Sequence, residues 1–142
     1  MGKYQARAVA DLIVGKDAIV SEDGVVSPRV IFTDPQVAAV GHTLATAQDA
    51  GLNVRTVEKT TSGNAGGSFY GRDAVGTTRL VIDEDRRVVV GATFTGSDIA
   101  DFLHAATIAV VAEVPLEKLW HSIPSFPTRS EVWLKLLEEY GL

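Results

Sequence analysis

Apolar and polar positions alternate along this chain with two periods, and the switches between them mark out its elements. Ala6, Val9, Leu12 and Ile13 recur at helical spacing, so a helix is predicted over 3–14, with Gly15 as its stop. A polar stretch from Lys16 to Ser27 follows, with Glu22-Asp23-Gly24 as a turn signal, and reads as a linker. Val30 to Thr33 reads as a short strand ended by the turn dipeptide Asp34-Pro35. Thr43 then caps a second helix of good formers, Ala45 to Ala50, and Gly51-Leu52 supplies a left-handed end with its apolar contact. The period returns to two in Val54 to Thr60, with Val54, Thr56 and Glu58 on one face and Arg55, Val57 and Lys59 on the other.

The clearest hairpin joins Thr77–Asp83 to Val88–Thr95 through the charged link Asp83-Glu84-Asp85-Arg86-Arg87. Ahead of this hairpin, residues 62–76 carry glycines at 63, 66, 67, 71 and 76, and read as a loop or a bulged strand. Ile99, Phe102, Leu103, Ala106 and Val110 form the stripe of a third helix over 98–113, begun by Asp98 and Asp101 and ended by Pro115. Strands grouped together with helices to one side predict an α+β layer, an antiparallel sheet with helices packed on one side, rather than a dinucleotide-binding unit.

The C-terminal part is the most distinctive. Leu119 to Glu131 holds Trp120, His121 and the prolines 124 and 127, and reads as a rigid presented loop. Thr128 and Glu131 have capping-box spacing before the last helix. Within that helix Trp133, Leu136, Leu137 and Tyr140 form a stripe, and Val132 and Leu134 widen it beyond what one core face needs. The excess predicts a second contact, a subunit interface, since large aromatic and aliphatic anchors occupy interface centres. The predicted interface set is Trp120, His121, Phe126, Trp133, Leu137 and Tyr140.

Composition narrows the function. A chain that is 46% hydrophobic and 22% charged is not globally disordered, and 142 residues give room for one core. The net charge of −5 with no basic block argues against a nucleic-acid platform. With no cysteine, thiol catalysis and disulfide scaffolding by this chain are excluded. No apolar run is long enough to span a bilayer and the N-terminus lacks a signal core, so a cytoplasmic location is expected. His42, His104 and His121 lack metal-ligand spacing, and no metal is expected. Ser122 and Ser125 lack a nucleophile-elbow setting. The glycine-rich stretch matches neither phosphate-binding fingerprint. One alternative stays open: an independent regulatory domain that binds a small molecule in a pocket made by that stretch and His121.

Four segments in order carry a resemblance: residues 1–7, Val30 to Gly41, the hairpin from Thr78 to Ala92, and Phe126-Pro127-Thr128-Arg129-Ser130-Glu131. Together they resemble the C-terminal dimerisation domain of the pyridine nucleotide–disulfide oxidoreductases, the flavoenzymes that include dihydrolipoamide dehydrogenase, glutathione reductase and mercuric reductase. The resemblance implies three regions: residues 1–15 as the tail of a preceding FAD domain, 16–27 as a linker, and 28–142 as the dimerisation domain. It implies a homodimer in which the loop before the last helix reaches the partner's flavin and redox cysteines, with Phe126 and Pro127 near that flavin. FAD and NAD(P) would serve the full-length enzyme, with neither bound by this fragment, which is expected to be inactive alone. Glu131 matches the family's catalytic glutamate. The family's acid/base histidine, however, stands immediately before Pro-Thr, and here that position is Phe126. Phenylalanine transfers no proton, so the implied chemistry shifts from thiols towards a quinone-like or other small acceptor.

Overall fold

In the computed structural model the chain runs α1 (Gly2–Ile13), β1 (Arg29–Ile31), β2 (Gln36–Gly41), α2 (Leu44–Asp49), β3 (Val54–Thr60), β4 (Thr77–Asp83), β5 (Val88–Gly96), α3 (Leu103–Val111), α4 (Leu116–Trp120) and α5 (Val132–Tyr140). Short 3-10 turns lie at Gly24–Val26, Gly66–Tyr70, Ile99–Phe102 and Arg129–Glu131. The structure describes residues 1–20, 24–70 and 74–142; the predicted turn residues Glu22 and Asp23, and Gly71, lie outside them.

All pairings in the sheet are antiparallel, and its order is β1-β2-β5-β4-β3. Its centre is the hairpin legible in the sequence. Leu80, Ile82, Val89, Ala92 and Phe94 point to one face, where they meet Ala106 and Val110 of α3 and Val132, Leu136 and Leu137 of α5 in a single buried cluster. A register shift between Val81 and Ile82 keeps Val81, Val88 and Val90 on the other face, against Ala47 of α2 and Leu52. The main helices therefore share one face, as expected, and the short α2 adds partial cover to the reverse.

β2 has no counterpart in the sequence reading. It is built from small residues, Ala38 and Ala39 among them, whose intrinsic strand preference is weak. Pairing with β5 forms it. Gly41 lies opposite Gly91, and a Cβ at Gly41 would stand 2.2 Å from the Val90 carbonyl oxygen, one at Gly91 1.9 Å from that of His42. The two backbones meet where neither residue has a side chain.

The N-terminus of α2 is formed as expected: Thr43 accepts from the Thr46 amide at 3.1 Å, and Thr46 accepts from the Thr43 amide at 3.0 Å. Gly51 ends it at φ +77°, and the Leu52 amide donates to Ala47. The third helix is shorter than predicted: it starts as a 3-10 turn and ends at Val111, and Glu113 beyond it turns the chain at φ +45°. Its stripe is correct, because Ile99, Leu103, Ala106 and Val110 are buried. α4 was not predicted, and its last two residues, Leu119 and Trp120, overlap the segment read as loop. Its Leu116 is fully buried, and the Leu116 amide donates to Arg87 at 2.9 Å, so a five-residue helix is held by the sheet rather than by propensity.

Asp83 closes the central hairpin. One carboxylate oxygen accepts from the Asp85 and Arg86 amides, each at 3.0 Å, and the other from Arg86 Nε at 2.7 Å. Burial pushes its pKa up, but the hydrogen bonds and charge of Arg86 outweigh that and hold it below the ordinary carboxylate value. A folded pKa below the unfolded one, about 3.9, gives stability that is fully present above that value and is lost as pH falls through the folded pKa. Asp83→Asn is therefore expected to lower the urea midpoint at pH 7 and to narrow its difference from the parent chain below about pH 4. A gap that stays constant with pH would contradict this account.

Candidate functional site

The presented loop begins at the C-terminus of α4 and is fastened at its far end. His121 is exposed, Ile123 is 87% exposed and Phe126 is 76% exposed. The Phe126–Pro127 bond is cis. Two residues later the chain is buried: Arg129 is only 9% exposed. Its guanidinium donates to the carbonyls of Ser97 and, at 3.1 Å, Asp98, and lies 4.8 Å from the centre of the Phe102 ring. The turn that starts α3 has a left-handed residue at its start, Asp98 at φ +52°, and Arg129 binds the two consecutive carbonyls there. One planar fork thus pins the exposed loop to the β5–α3 junction. Sequence reasoning assigned Arg129 no such role. An arginine beside Thr128 and Ser130 carries no local signal of burial.

The capping box predicted at Thr128 and Glu131 is not formed. A 3-10 turn, Arg129–Glu131, stands between Thr128 and α5, and the Thr128 hydroxyl donates to the Ser125 carbonyl at 2.6 Å instead. The hydroxyl is thereby diverted into the loop, and Glu131 itself occupies the N-cap position of α5. Glu131 is half-buried, and its Oε2 is buried with no hydrogen-bond partner among the described residues.

The predicted interface residues separate into two groups. Leu137 and Tyr140 are buried, at 2% and 8% exposure, in this chain's own core. Arg55 and Arg87 stack on the Tyr140 ring at 5.0 and 5.5 Å, and burial pushes its phenol pKa up. These two residues have no surface to offer a partner, because β3 and the hairpin turn already cover them, and the assignment is corrected on that ground. Trp120 and Trp133 are half-buried. Trp133 packs on Phe94, with ring centres 6.4 Å apart, and its remaining edge lines an apolar groove of about 290 Å³ with Ala105, Ile108, Val114, Leu119 and Ser122. Sequence reasoning missed the α3 side of this groove. Ile108, 53% exposed, lies off the core stripe, and that misplacement of a large apolar residue was the available signal.

Among the described residues, the glycine-rich stretch and His121 line none of the main grooves together. The described part of that stretch closes on the presented loop, where a Cβ at Gly66 would fall 2.1 Å from the Thr128 carbonyl carbon. The larger polar groove, about 390 Å³, lies on the open sheet face and is lined by Thr43, Leu44, Glu58, Thr77, Arg79, Thr93 and Thr95, without either feature. Among the described residues no group of three or more His, Cys, Asp or Glu side chains is placed to hold a metal. No described helix is long and apolar enough to cross a membrane.

This arrangement, a five-stranded antiparallel sheet backed by α3 and α5 with an exposed loop ahead of the last helix, matches known proteins closely. The family model for the pyridine nucleotide-disulphide oxidoreductase dimerisation domain covers residues 27–137, and the chain belongs to that family. Dihydrolipoyl dehydrogenase of Geobacillus stearothermophilus is 28% identical over 135 residues, 95% of this chain, and that of Bacillus subtilis is 25% identical over the same span. The chain spans only 28% of the length of either relative. Among solved structures, the HOCl-induced flavoprotein disulfide reductase RclA from Escherichia coli superposes with a TM-score of 0.80 at 21% identity, covering 93% of this chain and 30% of that one. LpdA from Mycobacterium tuberculosis gives 0.82 at 16% identity, covering 97% and 30%. At those identities the structures establish the fold. This is a dimerisation domain of the pyridine nucleotide–disulfide oxidoreductase family.

Proposed function

We propose that this domain pairs with a second copy of itself through the α3–α4–α5 groove, and that the loop from His121 to Glu131 then reaches the partner's flavin site. The observation that carries this is the apolar groove beside the loop: Ile108 and Val111 stand exposed on α3, next to a loop that exposes Ile123 and Phe126. An isologous contact covers all of them at once. Trp120, His121, Phe126 and Trp133 remain in the interface set. In α1, Val9, Leu12 and Ile13 are exposed and no residue is buried, which supports its assignment to a preceding flavin domain, with 16–27 as linker and 28–142 as the dimerisation unit.

In this reading the full-length protein is a cytoplasmic homodimer that uses FAD and NAD(P). FAD would supply two-electron transfer between NAD(P)H and an acceptor. The residues present fit a wall for the flavin ring, since the exposed Phe126 ring and Pro127 offer a rigid apolar edge. They do not form a nucleotide cradle, because the backbone of Thr128 fills the space beside Gly66. Phe126 holds no proton, and Glu131 keeps a buried carboxylate oxygen without a donor among the described residues, so a small quinone-like molecule suits the site better as acceptor than a disulfide.

Sedimentation of the chain at micromolar concentration tests the pairing. A dimer is expected, and Ile108→Glu is expected to weaken it at least tenfold, by about 1.4 kcal/mol or more, because it puts an unpaired charge in a buried seam. A parent chain that stays monomeric across that range, both in isolation and within the full-length protein, would sink this reading. In the full-length enzyme, Phe126→His is expected to raise disulfide reduction about a hundredfold, the typical minimum for one acid/base group. An unchanged rate would show that the absent imidazole does not limit the chemistry.

A further inference from the structure

The glycine-rich stretch was expected to be a plain connection. In the structure it is the second fastening of the presented loop. Gly66 is buried with its Cα against the backbone of the other loop: a Cβ there would lie 2.1, 2.4 and 2.5 Å from the Thr128 carbonyl carbon, the Thr128 Cα and the Arg129 amide nitrogen. Those are backbone atoms, which cannot swing aside as the end of a side chain can. Gly66 does not have the positive φ that would explain a glycine by conformation alone. Its lack of a side chain is required by the neighbouring loop.

Asn64 joins the same two segments. Its amide group donates to the Thr61 carbonyl at 3.3 Å and, at a longer 3.5 Å, to the Arg129 carbonyl, while its oxygen accepts from the Gly67 amide at 2.9 Å. Thr61, at the base of the stretch, is fully buried and bonds Thr78 of β4 and the Thr95 carbonyl of β5. A continuous set of contacts therefore runs from the sheet centre through Thr61 and Asn64 to the Thr128–Arg129 backbone. Arg129 provides an independent path from the same backbone to the β5–α3 turn.

We propose that Gly66 and Asn64 are positioning residues for the Ser125–Glu131 loop: they set where Phe126 and Pro127 stand, and they do so without touching whatever those residues face. The importance of that position rests on the pairing reading above; the clamp itself does not. Two attachments at one end of an exposed loop restrict it as a hinge cannot. With Arg129 alone the segment would keep rotation about a single anchor. Gly66 removes that freedom by filling the space behind Thr128.

Hydrogen exchange of the whole chain, followed by mass spectrometry, separates this from general stability. Gly66→Ala is expected to speed exchange about tenfold or more in residues 125–131 while leaving β4 and β5 unchanged, since local opening tracks local contacts. Gly67→Ala is the comparison, because its Cβ would strike the Ser62 backbone at 2.2 Å, inside its own stretch. It should loosen 62–70 more than 125–131. Asn64→Asp removes the donors and keeps the acceptor for Gly67, and is expected to speed exchange in 125–131 by a smaller factor. It carries the test if Gly66→Ala does not fold. Parent-like protection of 125–131 in both folded variants, or in Asn64→Asp alone, overturns the proposal. So does loosening of β4 and β5 to the same degree. Because exchange is read on the free chain, loosening of the loop by Gly66→Ala in a protein that stays monomeric, in isolation and at full length, would refute the pairing and leave the clamp standing.

Discussion

Phe94→Ala is expected to destabilise the domain by about 3–5 kcal/mol, the range for truncating a buried aromatic ring. Phe94 is fully buried on β5 and packs against Phe102 at 6.0 Å and Trp133 at 6.4 Å between ring centres. Its ring contacts tie the sheet to the start of α3 and to α5. The cavity left behind cannot collapse easily, because the backbone of β5 is held on both sides by β2 and β4. Equilibrium unfolding in urea measures the effect. Trp133 fluorescence should shift in the native baseline, since its ring loses its neighbour. A loss below about 1 kcal/mol would mean that α3 and α5 repack into the space, and that the core is less rigid than these contacts imply.

Arg129→Ala should cost about 1–3 kcal/mol, because it removes the charged donor shared by the part-buried bonds to the Ser97 and Asp98 carbonyls, and the stack on Phe102. The loss should be concentrated in the 125–131 loop and the start of α3, with the strands retaining their protection until global unfolding. Arg129→Lys tests the geometry. An ammonium is a point donor without a planar fork, so it is expected to recover less than half of the loss. Full recovery by lysine would show that charge alone holds the loop.

The sheet centre was legible because its pattern was local. Residues 77–83 and 88–95 alternate, their link is polar and short, and β3 has the same period, so the elements and their faces follow from spacing. α2 was legible from its ends: Thr43 and Gly51 supply the groups and the φ angle that a helix start and stop require. β2 was not legible, because Ala38, Ala39 and Gly41 become strand only when β5 is beside them. The capping box was misread for a related reason. The residues at Thr128 and Glu131 are suited to it, but the Ser125 carbonyl took the hydroxyl first. Leu137 and Tyr140 were read as interface anchors because helical spacing shows which residues share a face, without showing what covers it. Arg55, Arg87 and the sheet cover that face here.

The order of motifs in the chain was enough to establish the family and the α+β class, since turn residues, periodicity and the Phe126–Glu131 segment are all encoded over short distances. The tertiary structure alone decided how the presented loop is held. Arg129 is buried against carbonyls 31 and 32 positions away, and the Gly66 and Asn64 contacts with Thr128 and Arg129 join residues more than sixty positions apart. A glycine shows in sequence only that it lacks a side chain; the backbone that occupies the vacant space is known only when the chain has folded.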